Sequence, residues 1–134
     1  MESSSMQVCD DLVQLVKHIK SGMGAIAEHY GLTHMQLYVM NTIQAGGAIT
    51  MGTVAHSLHC DASNITGIID RLVTQGLVTR QEDEHDRRAK MLQLTDKGVK
   101  MMDDIVAALP KQLGCDKLTV ADRQKLHSLI AQLV

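Results

Sequence analysis

The chain has 134 residues, of which 45% are hydrophobic and 21% are charged, and its formal net charge is −2. This length corresponds to one domain, and the high apolar share with so little net charge excludes an intrinsically disordered chain. Aromatic residues make up only 1%, which argues against stacking of single-stranded nucleic acid and against a strand-rich sandwich. We therefore predict a mainly helical fold, in which any binding to DNA depends on a local patch of charge.

The first residues and the cysteine count indicate the compartment. Residues 1–5 lack the basic start and apolar run of a secretion signal, and the longest apolar stretch, residues 105–109, is too short to span a bilayer. The chain has three cysteines, an odd number that does not suit a disulfide scaffold. We expect a cytoplasmic protein that has reduced thiols and no contact with a membrane.

Six segments space their apolar residues three and four positions apart, which is typical of amphipathic helices. The first is about six turns long and follows a run of serines that can cap it. Thr33 is the predicted cap of the second helix, Asp61 that of the fourth, and Thr95 or Asp96 that of the fifth, which ends at Pro110. The six predicted helices cover residues 8–26, 34–45, 51–58, 62–75, 96–110 and 119–134.

Two strands are predicted after Gly76, where the apolar period changes from 3.6 to 2. They cover residues 77–81 and 91–95, and the segment between them is charged throughout except at Ala89. A short extended piece, residues 48–50, precedes the third helix. The predicted order of elements is α-α-β-α-α-β-β-α-α, with a hairpin that projects a charged tip.

Two short helices joined by a tight turn and followed by a hairpin describe a winged helix-turn-helix, which is mainly α with a small β-hairpin wing. The fourth helix is then the recognition helix, with one apolar side for the core (Ile65, Ile68, Ile69 and Leu72). Small polar and basic residues on the other side suit contacts with base edges and phosphates. An ordinary solvated face is the alternative interpretation. The candidate DNA contacts on this helix are Ser63, Asn64, Thr66 and Arg71.

The hairpin carries a second set of candidate DNA contacts, because cations at a wing tip can enter a minor groove or bind phosphates. Asp86 can hold the guanidinium of Arg88 in one rotamer through a bidentate pair. Acidic residues balance the cations in this segment, so a solvated loop is the alternative. The candidate contacts are Asp86, Arg87, Arg88 and Lys90, with Arg80 on the strand that leads to the tip.

These segments include DASNIT at 61–66, IDRLVTQGLVTR at 69–80, DRRAK at 86–90 and LTDKG at 94–98. With them, the chain resembles the MarR (multiple antibiotic resistance regulator) family over essentially its whole length. The resemblance implies an obligate homodimer that binds pseudo-palindromic double-stranded DNA and acts as a repressor. The fourth helices would occupy adjacent major grooves, and the wings with Asp86 and Arg88 the flanking minor grooves. The resemblance also implies that Asp70 pairs with a wing arginine.

The resemblance makes residues 1–134 a single MarR-type domain. Residues 1–30 and 96–134 would be dimerisation helices, and residues 33–95 the DNA-binding lobe. The apolar stripes of the first and last helices support a dimer independently. They lie at opposite ends of the chain, and each must be buried against another apolar surface. A monomer in which these stripes cover each other is the alternative.

Two cysteines lie in the segments predicted to dimerise. Cys9 is in the first turn of the first helix, and Cys115 is in the break between the last two helices. Their placement resembles that of the organic hydroperoxide branch of the MarR family, in which a reactive and a resolving cysteine form an intersubunit disulfide. His34 stands where that branch often has a tyrosine. The resemblance implies that an oxidant or a small ligand releases the protein from DNA. The alternative is that the thiols have no role in sensing.

No catalytic motif is present, so we expect no enzyme activity and no cofactor. His56, His59 and Cys60 do not form a metal site by themselves, because zinc requires further ligands. In the family, small acids bind in a groove that His18, His29 and His34 could line here. The alternative functions are a helical protein-interaction module and a ligand-binding regulator without redox sensing. Substitution of Arg88 by Ala distinguishes these functions. A DNA-binding regulator should lose operator binding, whereas a protein-interaction module should be unaffected.

Overall fold

The computed structural model describes residues 2–86 and 89–134. Helices dominate this part of the chain and one small sheet accompanies them, in the order predicted from the sequence. A short 3-10 turn between the last two helices, at Cys115–Lys117, was not predicted. The elements are α1 (Ser5–His29), α2 (His34–Gly46), β1 (Ile49–Thr50), α3 (Met51–Ser57), α4 (Ala62–Thr74), β2 (Val78–Glu82), β3 (Lys90–Leu94), α5 (Asp96–Leu113) and α6 (Val120–Leu133).

Side-chain hydrogen bonds fix the first turns of two helices as predicted. Ser4 Oγ accepts from the Gln7 backbone N–H at 3.2 Å. Thr33 and Gln36 form a capping box, in which each side chain accepts from the other's backbone N–H. Asp61 stands at the N-cap of α4, but its carboxylate makes no capping hydrogen bond. The predicted side-chain cap is therefore wrong at this helix, whose exposed first turn leaves its N–H groups open to water.

The fifth helix is longer than the sequence predicts. Thr95 caps it, because its hydroxyl oxygen accepts from the Gly98 N–H at 3.0 Å. The helix continues through Pro110 to Leu113, so the predicted end at Pro110 is wrong. Proline lacks an N–H donor and its ring crowds the preceding turn, but Pro110 lies near the end of α5, where only one further turn depends on it. The break comes instead at Gly114, whose φ of 84° lies in the left-handed region.

The first turn of α5 is hydrogen-bonded to the segment that follows α4. Three consecutive carbonyls, those of Gln75, Gly76 and Leu77, accept these bonds. Their respective donors are Lys97 Nζ at 3.0 Å, Thr95 Oγ1 at 2.7 Å and Thr95 N at 3.0 Å. These hydrogen bonds therefore connect the end of α4 directly to the start of α5.

The sheet has three antiparallel strands in the order β1-β3-β2. In the hairpin, Val78 pairs with Leu94 and Glu82 pairs with Lys90. Both hairpin strands are shifted by one residue from their predicted bounds. A hydrogen bond from Thr95 N–H to the Leu77 carbonyl continues the pairing at the base of the hairpin. The short extended piece before α3 is confirmed as β1, and its pairing with β3 was not predicted.

The chain forms two compact units, and one of them comprises Ala27–Ile105. Its core is built from α2, α3, α4, the sheet and the first half of α5. Gln36 is the one buried polar side chain among the described residues, and its capping hydrogen bond explains how it is tolerated. The largest fully buried side chains are Leu37, Met40, Ile43, Ile65, Ile69, Leu72, Leu77, Leu92, Met102 and Ile105.

The other unit comprises the chain up to Ile26 together with Val106–Val134. Within it, His18 Nε2 lies 3.1 Å from the carbonyl oxygen of Leu113. No residue of α6 is buried, and large apolar side chains stay exposed on both terminal helices. In α1 these are Met6, Val8, Leu12, Val13, Leu15, Val16 and Ile19, and in α6 they are Val120, Leu126, Leu129, Ile130 and Leu133. None of the described helices is long and apolar enough to cross a membrane.

Gly98 fits where α5 passes very close to the backbone of the preceding turn. A Cβ at this position would collide with the carbonyl oxygen of Leu77, which is held in place by its bond to Thr95 N. Only glycine allows the approach without a backbone shift.

We expect the substitution Gly98→Ala to lower the free energy of unfolding by about 1–3 kcal/mol, as overpacking does elsewhere. Urea denaturation measures this loss. The control is Gly52→Ala in α3, where an added Cβ would meet only Thr50 Oγ1, at 3.9 Å. The control should gain up to about 1 kcal/mol, because alanine favours helix over glycine. A Gly98→Ala variant as stable as the wild type would contradict the described approach.

Candidate nucleic-acid interface

The orientation of α4 is fixed by its apolar side. Ile65, Ile69 and Leu72 are completely buried, and they recur at the spacing of one helix face. Ile68, which the sequence analysis assigned to the core, is only half-buried and lies at the edge of this face. Since one side of the helix is fixed in the core, the opposite side must face solvent.

All four candidate contacts on α4 are exposed. Three of them, Ser63, Asn64 and Arg71, line one surface cavity of about 520 Å³ together with Met35, Cys60, Gly67 and Ile68. Thr66 does not line it. Its hydroxyl donates to the carbonyl oxygen of Ala62 at 2.9 Å, so it presents lone pairs and a methyl group to its surroundings. The helix thus exposes short polar groups and one guanidinium side by side.

The hairpin is closed by backbone hydrogen bonds near its tip. Ala89 N donates to the carbonyl oxygen of Asp86, and Asp83 N donates to that of Ala89, both at 3.0 Å. Lys90 is paired across the strands with Glu82, with 3.1 Å between Nζ and Oε1. The ammonium of this predicted DNA contact is therefore already engaged with a carboxylate. The predicted contacts Arg87 and Arg88 lie outside the described residues.

An ion pair links the recognition helix to the hairpin. Arg80 Nη1 on β2 lies 2.6 Å from Asp70 Oδ1 on α4, with the side chains 34% and 54% exposed. The resemblance implied that Asp70 pairs with a wing arginine. The described partner is Arg80, on the strand that leads to the tip, which the sequence analysis had considered as a phosphate ligand. The signal of this pair in the sequence is weak, since it consists of an acid and a base ten positions apart on different elements. The pair compensates the negative charge of Asp70 on the polar side of α4.

The cysteines and histidines occupy different environments. Cys9 and Cys115 are exposed and belong to the same compact unit. Cys60 is half-buried, and its thiol donates to the carbonyl oxygen of Leu58 at 3.3 Å. His56 and His59 are exposed. Within residues 2–86 and 89–134, no three His, Cys, Asp or Glu side chains cluster closely enough to hold a metal ion.

Residues 30–89, which include α2 to α4 and the first strand of the hairpin, match the sequence model of the MarR family. Over these residues the chain is similar to the MarR family of transcription regulators. The curated relatives that it matches are named as transcriptional regulators, which favours a regulator of transcription over an enzyme.

Curated MarR-family relatives align with most of the chain. The organic hydroperoxide resistance transcriptional regulator of Bacillus subtilis is 23% identical over 128 residues, which are 96% of this chain and 87% of the relative. The HTH-type transcriptional repressor MdtR of Bacillus subtilis is 28% identical over 110 residues, which are 80% of this chain and 71% of the relative.

The fold is shared with MarR from E. coli. Its apo crystal structure superposes with a TM-score of 0.83 at 19% identity, covering 100% of this chain and 98% of that one. A mutant of the same protein complexed with operator DNA superposes with a TM-score of 0.71 at 21% identity, covering 98% of this chain and 99% of that one. At these identities the likeness concerns the fold.

We expect the pair between Asp70 and Arg80 to contribute about 0.2–1 kcal/mol to stability, because both side chains are partly solvated. A double-mutant cycle with Asp70→Asn and Arg80→Gln, followed by urea denaturation at low salt, measures this coupling. The coupling should shrink at about 1 M salt, where charges are screened within a few ångströms. The matched control is the cycle for Glu82→Gln and Lys90→Gln. Zero coupling between Asp70 and Arg80 at low salt would contradict the described pair.

Proposed function

We propose that this protein is a homodimeric MarR-family repressor that binds a pseudo-palindromic operator and leaves it on thiol oxidation or on binding a small ligand. One observation carries the proposal. Ser63, Asn64 and Arg71 are exposed together on α4, a helix whose other side is fixed in the core and which is joined by an ion pair to a hairpin. A helix of this kind next to a wing suits one half-site of double-stranded DNA.

In the proposed complex, α4 enters the major groove. The amide of Asn64 suits adenine, and the guanidinium of Arg71 suits guanine or a phosphate. Ser63 and Thr66 contribute hydroxyl oxygens, and that of Thr66 acts as an acceptor because its hydrogen is used within the helix. A protein of this fold, a mutant of MarR from E. coli, was crystallised with operator DNA, and this supports DNA as the partner here.

The wing is proposed to contact the flanking minor groove through Asp86, Arg87, Arg88 and Lys90. Minor grooves attract basic side chains through their negative potential. Lys90 would contact phosphate while it remains paired with Glu82, since an ammonium has three donors.

The proposed homodimer explains the apolar surfaces of the terminal helices. Valine, leucine and isoleucine side chains are exposed along α1 and throughout α6. Contiguous apolar surface of this kind is unusual on a monomer and is typical of a subunit interface. A second copy of the chain would also place two copies of α4 on one duplex, as a pseudo-palindrome requires.

Repression is the proposed sign of regulation, and the likeness to the repressor MdtR supports it. For the effector, the first candidate is an oxidant. Cys9 and Cys115 are both exposed, and the relative named for organic hydroperoxide resistance aligns with most of this chain. A small ligand is the second candidate. The cavity beside α4 supports it, because Arg71 there could bind an anionic group next to Met35 and Ile68.

The test of DNA binding starts with in vitro selection. We expect the full chain to enrich one sequence from random duplexes of about three helical turns and to bind it with two chains per duplex. Affinity should fall steeply with salt, because phosphate contacts release counterions. Asn64→Ala should cost about 1–3 kcal/mol of binding free energy and relax the preference at one base pair. Fluorescence anisotropy of a labelled duplex measures these changes.

The matched control for Asn64→Ala is Asn41→Ala on the exposed surface of α2, which should keep wild-type affinity because Asn41 is not among the proposed contacts. Arg88→Ala should weaken binding to the selected duplex. A protein that enriches no sequence, or whose binding ignores salt, would contradict the proposed function.

Oxidation should join Cys9 of one chain to Cys115 of another. We expect a peroxide-treated sample to run as a dimer on a non-reducing gel and to lose affinity for the selected duplex. Cys9→Ser and Cys115→Ser should each abolish both effects, whereas Cys60→Ser, the control, should retain them. If the treated protein runs as a monomer with unchanged DNA affinity, redox sensing through these thiols is wrong.

A further inference from the structure

We propose that Gly67 sets how deeply α4 enters the major groove and thereby determines operator affinity and selectivity. The proposal rests on the proposed function, because it concerns the same contact between α4 and double-stranded DNA. It assigns a role in recognition to a residue that has no side chain.

The first observation is that Gly67 disfavours the helix in which it lies. It is the sixth of the thirteen residues of α4, and glycine in a helix interior destabilises the helix relative to alanine. The backbone does not require glycine here, because Gly67 is not among the residues with positive φ. Some other constraint must favour glycine at this position.

The second observation is that packing within the chain does not require glycine either. A Cβ at Gly98 would meet the Leu77 carbonyl, one at Gly22 would meet the Leu113 side chain, and one at Gly46 would meet the Ile49 side chain. A Cβ at Gly67 would meet no atom within 4 Å. Packing within the chain therefore does not explain the glycine, and a partner outside the chain can come close to the backbone at this position.

The third observation concerns the neighbours of Gly67 on the helix surface. Ser63 precedes it by one turn and Arg71 follows it by one turn, so the three residues share a face. They line the same cavity as Asn64. Serine and asparagine side chains are short, and they reach base edges only if the helix backbone comes close to the floor of the groove. Any side chain at position 67 would hold the backbone away.

A small ligand is the other occupant that the space beside Gly67 could hold. We favour DNA because the short side chains around Gly67 are exposed and because the space is an open surface depression. The two occupants predict different results, since filling a ligand site would leave the affinity of the ligand-free protein for DNA unchanged.

The experiment compares the full-length variants Gly67→Ala and Gly67→Leu with the wild type. The probes are the duplex enriched by the wild type from random sequence and a scrambled duplex of the same composition. Asn41→Ala on the exposed surface of α2 is the control, because it also places alanine in a helix and Asn41 is not among the proposed DNA contacts. Thermal unfolding of each variant is measured alongside the two affinities.

We expect Gly67→Ala to raise Tm by about 2–4 °C, because alanine stabilises helices relative to glycine. Its affinity for the selected duplex should nevertheless fall about fivefold, and that of Gly67→Leu about fiftyfold, as base-edge contacts are lost. Affinity for the scrambled duplex should stay within about threefold, because phosphate contacts remain. Asn41→Ala should also raise Tm, because alanine favours helix over asparagine, and should keep both affinities within about twofold.

Unchanged affinity of both Gly67 variants for the selected duplex would overturn the proposal. Equal losses on the selected and scrambled duplexes would also overturn it, because selectivity would then not depend on Gly67. If Gly67→Leu does not fold, the Gly67→Ala variant alone decides. A wild-type protein that enriches no sequence would refute the proposed function itself, and that result is distinct from both of these outcomes.

Discussion

The burial of one side of α4 is the constraint on which the rest of the molecule depends. Ile65, Ile69 and Leu72 occupy the centre of the core that α2, α3, the sheet and the first half of α5 form around them. These three side chains leave the helix one possible orientation. The polar side of α4 therefore faces solvent because the opposite side is packed in the core. The residues of the polar side contribute little to this orientation.

Much of this arrangement can be predicted from the sequence, because it depends on local periodicity. The alternation of apolar residues after Gly76 is sufficient to locate the hairpin to within one residue at each strand. The exposed side of α4 follows from helix periodicity in the same way. Ser63, Asn64 and Arg71 could be identified as neighbours because one helix carries all three.

Contacts between distant segments are harder to predict. The pair of Asp70 with Arg80 depends on how β2 leaves the turn after α4, and several acids and bases nearby offer equally plausible partners. The pairing of β1 with β3 joins two residues to a strand about forty positions away, and two residues carry no detectable period. The end of α5 was misplaced because proline disfavours a helix without always ending it, and here the helix continues for three residues beyond Pro110.

The hydrogen bonds between the first turn of α5 and the carbonyls of Gln75, Gly76 and Leu77 have a mechanical consequence. Thr95 and Lys97 hold three successive peptide groups at the point where the recognition helix gives way to the wing. No flexible linker separates these segments, so the end of α4, the start of β2 and the first turn of α5 must move as one piece.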